Sequence, residues 1–170
     1  MFYSQVRSKI QSGDVLAWTH KSWKTWYDIK IQLVRFFTQS EYCHVGIAWV
    51  VGGRVFVLEA VMPKLRIYPL SKEVPFYWLP QDEDLTYWTN EVEEFALSCV
   101  GEDYSQFQAV MAQLDKVERK AGYARECAEF VQSVLQKGGK ILDVKPTPTE
   151  VVHAVQTFGG PTFLVQLDKK

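Results

Sequence analysis

The sequence predicts an α+β domain: a small antiparallel sheet packed against helices. Three observations carry that expectation. Two β-rich runs, residues 43–51 and 54–60, are separated only by Gly52-Gly53. Downstream, Cys127, Phe130, Val131, Val134 and Leu135 recur at i, i+3, i+4, i+7 and i+8, the stripe of an amphipathic helix. The strand-like runs mostly precede the helical ones, without the regular alternation that builds a parallel sheet.

The elements follow in chain order. Gly13-Asp14 reads as a turn leading into a short strand, Val15-Leu16-Ala17-Trp18. Over residues 22–37 the apolar positions Trp23, Trp26, Tyr27, Ile31, Val34 and Phe37 recur at roughly helical spacing. The two runs around Gly52-Gly53 form a hairpin, because a primed two-residue turn needs positive φ at both positions. Short strands are expected at 65–68 and 74–79, each interrupted by prolines. Helices are expected over 88–100, 127–137 and 149–158. Gly138-Gly139 is the stop of the second of these. Residues 162–167 return as a last strand.

Length and composition set bounds. The 170 residues suit a single domain spanning 1–170, large enough to bury a core. A 47% hydrophobic content with 24 aromatic residues argues against disorder. The net charge of −1, with no long run of Lys or Arg, argues against a nucleic-acid footprint. No stretch resembles a signal-peptide core or a membrane span, so no stable membrane anchor is expected. Cys43, Cys99 and Cys127 are odd in number and form no CxxC pair. That disfavours a disulfide framework or a zinc site and points to a reducing compartment. No metal or cofactor is called for.

The hairpin register places chemistry. If Gly52 and Gly53 make the turn, Val51 faces Arg54, Gly46 faces Glu59 and His44 faces Val61. His44, Gly46, Ala48 and Glu59 then share one side. His44 and Glu59 become diagonal neighbours, about 7–8 Å apart at the backbone, close enough for the carboxylate to hold one imidazole nitrogen. Gly46 and Ala48 are small enough to admit a helix, while Val45, Ile47, Trp49, Phe56 and Leu58 form a bulky opposite face. The helix expected to begin near Cys127 suits the small face. It would put that thiol in the first turn, where the macrodipole favours thiolate. Cys127 with His44 as its base is then a usable nucleophile. The plain alternative is a small core cysteine and a structural His–Glu hydrogen bond.

At these residues the chain resembles the permuted NlpC-type papain-like hydrolases, the group that includes YiiX-like proteins. It is distantly similar to lecithin-retinol acyltransferase-like proteins. The matching pieces are Gly13-Asp14-Val15-Leu16, LVRFFTQSEYCHVGIAW around His44, VFVLEA ending at Ala60 just past Glu59, Gly101-Glu102-Asp103-Tyr104, ECAEFV around Cys127, and Pro148-Thr149. They run in the family's permuted order, histidine first and cysteine last. The resemblance implies a circularly permuted papain-like fold, with His44 and Cys127 as the dyad and Glu59 as the third polar residue. It also implies a pocket contact at Tyr104; Trp23 is a second candidate substrate contact, as an aromatic side chain that could line an acyl or peptide pocket. Glu126 and Ala128 depart from the family, which often has Ser or Asp beside the nucleophile.

The activity so implied is hydrolysis of an amide, peptide or ester bond through a Cys127 acyl-enzyme, on a small peptide, cell-wall fragment or lipid-like substrate. A cytoplasmic or phage-encoded enzyme fits a chain without an export signal. Two other functions stay open: a non-catalytic binding module that retains the fold, and a lipid acyltransferase or thioesterase. Other residues read as structural. Cys43 points away from His44, Cys99 lies in a helix core, Asp14 caps a turn, and His20 and His153 lie on the surface. Trp23, Trp26 and Trp49 favour core packing over a pocket lining.

Overall fold

The computed structural model describes residues 1–19, 41–61, 64–81, 86–102, 123–158 and 161–168, with the side chains of 123–126 outside that description. The elements are α1 (Tyr3–Val6), β1 (Val15–Trp18), β2 (His44–Val51), β3 (Arg54–Val61), β4 (Lys64–Pro69), a 3₁₀ turn (Leu70–Lys72), β5 (Phe76–Leu79), α2 (Asn90–Ser98), α3 (Tyr123–Lys137), α4 (Pro148–Phe158) and β6 (Phe163–Val165). The six strands form one sheet in the order β4-β3-β2-β1-β5-β6, with every neighbouring pair antiparallel. The expected helix over 22–37 lies outside the described residues.

The β2–β3 hairpin has the expected register. Val51 pairs with Arg54, and the count continues to Ile47 opposite Leu58. Gly52 and Gly53 adopt φ of +55° and +70°, which side chains with a Cβ rarely tolerate in succession. β4 then folds back on β3, from Val61 opposite Lys64 to Phe56 opposite Pro69, which puts Arg66 directly across from Glu59.

Strand alternation divides the interior into two layers. Val15, Ala17, Val45, Ile47, Leu58 and Ala60 point to one side and pack with α2, α3 and α4, through residues such as Ala96, Phe130, Val131, Val134 and Val152. Leu16, Trp18, Ala48, Val55 and Val57 point to the other side and pack with Val6, Ile10, Leu70, Phe76, Trp78 and Val165. Both faces are covered, as the sequence suggests. Which element covers which face is a correction. α3 lies on the bulky face of the hairpin, not on the face of Gly46 and Ala48. Gly46 is small for another reason: a Cβ there would stand 2.6 Å from Val57 Cγ2 and 2.9 Å from the Leu58 carbonyl oxygen. The space it leaves is filled by β3.

α3 buries the predicted stripe. Cys127, Phe130, Val131, Val134 and Leu135 all belong to the core beneath the helices. Each large apolar side chain so buried contributes about 1.5–3 kcal/mol. The helix ends where expected: Lys140 N–H donates to the Leu135 carbonyl and Gly139 N–H to that of Gln136, with Gly139 at φ +83°. Those paired bonds satisfy carbonyls that the helix end would otherwise orphan. Its start differs from expectation. Tyr123 already lies in the helix, so Cys127 sits beyond the first turn. The macrodipole falls off within that turn and gives the thiol little support. Among the described residues no helix is long and apolar enough to cross a membrane.

Candidate active site

Three separate segments supply the central residues. β2 begins with His44, β3 carries Glu59 two residues from its end, and α3 carries Cys127. His44 stands at the end of its strand and touches groups of both layers. On the helical side of the sheet it is hydrogen-bonded to the Cys127 side chain. On the other, its Nε2 lies 2.6 Å from Glu59 Oε2. The Trp18 ring packs against it, with centroids 5.3 Å apart.

This arrangement fixes the imidazole's protonation. The carboxylate can only accept, so Nε2 carries its proton toward Glu59. Nδ1 is the ring nitrogen that Glu59 leaves unengaged. Burial disfavours the charged ring. The facing Cys127, by charge and hydrogen bond, and then Glu59 outweigh that effect and push the His44 pKa up to about 10. The ring is therefore built to hold a proton through neutral pH, between the sulfur on one side and the carboxylate on the other.

Glu59 is 2% exposed and held from two sides. Its Oε2 accepts from His44, and its Oε1 accepts from Arg66 Nε at 2.8 Å and Nη2 at 2.7 Å. Burial alone would raise the carboxyl pKa; the hydrogen bond and charge of His44, then those of Arg66, hold it below the ordinary 4.5. Sequence reasoning missed Arg66. The signal was present: the two-residue connection Met62-Pro63 carries the strand count on, so Val61 meets Lys64 and Glu59 meets Arg66.

The structure thus brings together Cys127, His44 and Glu59. The substrate-contact assignments Tyr104 and Trp23 lie outside the described residues, as do Trp26 and His20. Trp49 packs against the core and donates its Nε1 hydrogen to Glu93 Oε1 at 2.9 Å. Cys99 is buried in the core, and its thiol is pushed up to about 11, by burial first and the charge of Glu102 second. Asp14 is buried and accepts from the backbone N–H groups of Gln11 and Gln81 and from Trp78 Nε1, so it secures the turn before β1. His153 is exposed, 3.7 Å from Glu41. Cys43 directs its thiol to the Trp18 carbonyl oxygen.

No protein-family model matches the chain, and no curated protein matches it. A solved structure does. The crystal structure of the metalloprotein YiiX from Escherichia coli O157:H7, DUF1105, superposes with a TM-score of 0.53, covering 91% of this chain and 88% of that one. The fold is YiiX-like. Sequence identity is 16%, so the likeness concerns the path of the backbone. The YiiX-like fold accounts for the α+β architecture and places no chemistry on this chain by itself.

Proposed function

We propose that this chain is a cysteine-dependent hydrolase of the permuted papain-like kind, with Cys127 as nucleophile, His44 as general base and Glu59 orienting the base. The observation that carries the reading is the unbroken sequence of contacts from the Cys127 thiol through His44 to the buried Glu59 carboxylate. A thiol facing one imidazole nitrogen while a carboxylate holds the other is the general form of an activated cysteine.

In the proposed reaction the His44 Nδ1 holds the thiol proton and the Cys127 sulfur attacks a carbonyl carbon of the substrate. A tetrahedral species forms, with the negative charge on the former carbonyl oxygen. Collapse breaks the bond to the leaving amine or alcohol, which departs with the proton from His44. The resulting thioester is then attacked by water, with His44 again taking a proton, and the acid leaves with Cys127 regenerated. An amide, peptide or ester of a small peptide, cell-wall fragment or lipid-like molecule suits this chemistry.

YiiX is a metalloprotein, but the described residues of this chain do not suit a metal-based step. No three His, Cys, Asp or Glu side chains cluster as a ligand set among them. Both Glu59 oxygens already accept from His44 and Arg66.

One observation favours a binding module that retains the fold: Cys127 is 1% exposed. Attack on a substrate therefore requires the surrounding chain to part. Intact-mass spectrometry separates the two readings. With a panel of small acyl thioesters and activated esters, a hydrolase gains an acyl adduct that maps to Cys127 and is absent from Cys127→Ala. A panel that leaves the wild-type mass unchanged, or acylates both proteins equally, contradicts the enzyme reading.

A further inference from the structure

The residues around His44 close into a ring that reaches well beyond Cys127 and Glu59. His44 Nε2 meets Glu59 Oε2 at 2.6 Å. Glu59 Oε1 accepts from Arg66 Nε at 2.8 Å. Arg66 Nη2 reaches Glu73 Oε1 at 3.4 Å. The Glu73 backbone carbonyl accepts from Trp18 Nε1 at 2.7 Å, and the Trp18 ring returns to pack on His44. Four strands and the end of the 3₁₀ turn are thereby linked in one ring of contacts that includes the imidazole.

We propose that Arg66 is a positioning residue for the Cys127–His44 pair: it grips the outer oxygen of Glu59, fixing the plane of the carboxylate and hence the direction of the imidazole. This rests on the reading of Cys127 as a nucleophile. Two features support a positioning role over a merely structural one. Arg66 uses both Nε and Nη2 on a single oxygen, which leaves the other oxygen wholly to His44. The guanidinium is itself restrained, by Glu73 on one side and by the Tyr68 ring, 4.3 Å from its carbon, on the other. A carboxylate held at one oxygen only can swing about its final bond, and the ring would swing with it.

Arg66 also acts through its charge. Among the described residues, the charged and titratable groups around Glu59 are His44 from β2 and Arg66 from β4, with Cys127 behind the first and Glu73 behind the second. Removing the arginine takes away a cation and a hydrogen bond that favour the ionised carboxylate. Glu59 should then take up a proton at higher pH, and the imidazolium should lose its anion sooner on acidification.

The test combines a direct and a functional readout on Arg66→Met and Arg66→Lys. Glu59 is followed by NMR of its carboxyl carbon in labelled protein, and Cys127 by the pH dependence of its alkylation with a small haloacetamide. The Glu59 midpoint should rise by about one pH unit in Arg66→Met and by less in Arg66→Lys, which keeps the charge but loses the two-point grip. The acid limb of Cys127 alkylation should move up with it. A Glu59 midpoint within roughly 0.2 pH unit of wild type in folded Arg66→Met overturns the positioning role. A shifted midpoint with unchanged alkylation also overturns it, since the arginine would then act on the carboxylate alone. If wild-type Cys127 reacts no faster than Cys99, the nucleophile reading falls instead, and the Glu59 titration shows whether the ring survives as structure.

Discussion

Replacing Glu59 by glutamine probes the fold and the site together. The carboxylate is 2% exposed and accepts from two cationic partners, His44 at 2.6 Å and Arg66 at 2.7–2.8 Å. Glutamine offers one acceptor oxygen and one NH₂ donor, so one of the two partners must face a donor. Breaking a buried charge pair costs about 3–5 kcal/mol. Here the partners are less enclosed, His44 being 24% and Arg66 40% exposed, so water can recover part of their solvation. The expected loss for Glu59→Gln is therefore about 2–3 kcal/mol at pH 7.

The pH dependence follows from the sign of the shift. Glu59 in the folded chain lies below its ordinary 4.5, so its stabilisation is present above that value and is lost as pH falls through the depressed folded value. The stability gap between wild type and Glu59→Gln should hold steady from neutral pH to about 5 and shrink in stronger acid. Urea unfolding followed by tryptophan fluorescence measures it. A variant within about 0.5 kcal/mol of wild type at pH 7, or a gap that widens in acid, would show that Glu59 is not held as a buried carboxylate between His44 and Arg66.

Gly46→Ala should cost about 1–3 kcal/mol, because the new Cβ would stand 2.9 Å from the Leu58 carbonyl, a backbone atom that cannot rotate away. It should also slow Cys127 alkylation, since β3 carries Glu59 on that same stretch; thermal melting with parallel labelling kinetics checks both. Trp18→Phe removes the hydrogen bond to the Glu73 carbonyl and should cost about 1 kcal/mol in urea unfolding. Gly139→Ala places a Cβ at φ +83° and should lower stability by about 1–2 kcal/mol without changing the relative alkylation of Cys127 and Cys99.

The hairpin is legible in the sequence because Gly52-Gly53 allows one turn geometry and the two flanking runs are long. Its strand count alone brings His44 and Glu59 within reach of each other. The α3 stripe is legible for the same reason, a period carried over several turns. What alternation does not say is which layer covers which face. The small residues Gly46 and Ala48 suggest an approaching helix, whereas Gly46 makes room for Val57 and the β3 backbone. α3 starts earlier than its apolar stripe, which begins only at Cys127. The preceding Tyr-Ala-Arg-Glu is compatible with helix, though it adds nothing to that stripe. The strand at 65–68 is legible too, and β4 bears it out. Its register against β3 lies a step past the hairpin count, and without that step the place of Arg66 opposite Glu59 goes unread. Trp18 gives no sign, since its contact with His44 depends on the β1–β2 pairing of two segments distant in sequence.

The most direct test of the central claim is competitive alkylation of the intact chain by a small electrophile at pH 7, with each cysteine quantified by mass spectrometry. Cys99, its thiol pushed up to about 11, keeps a thiolate fraction on the order of 10⁻⁴ and serves as the internal reference. With His44 activating Cys127, that thiol should react much faster than Cys99, and His44→Ala should abolish the difference. Equal labelling of the two thiols in wild type, or a Cys127 rate that survives loss of His44, would contradict that activation.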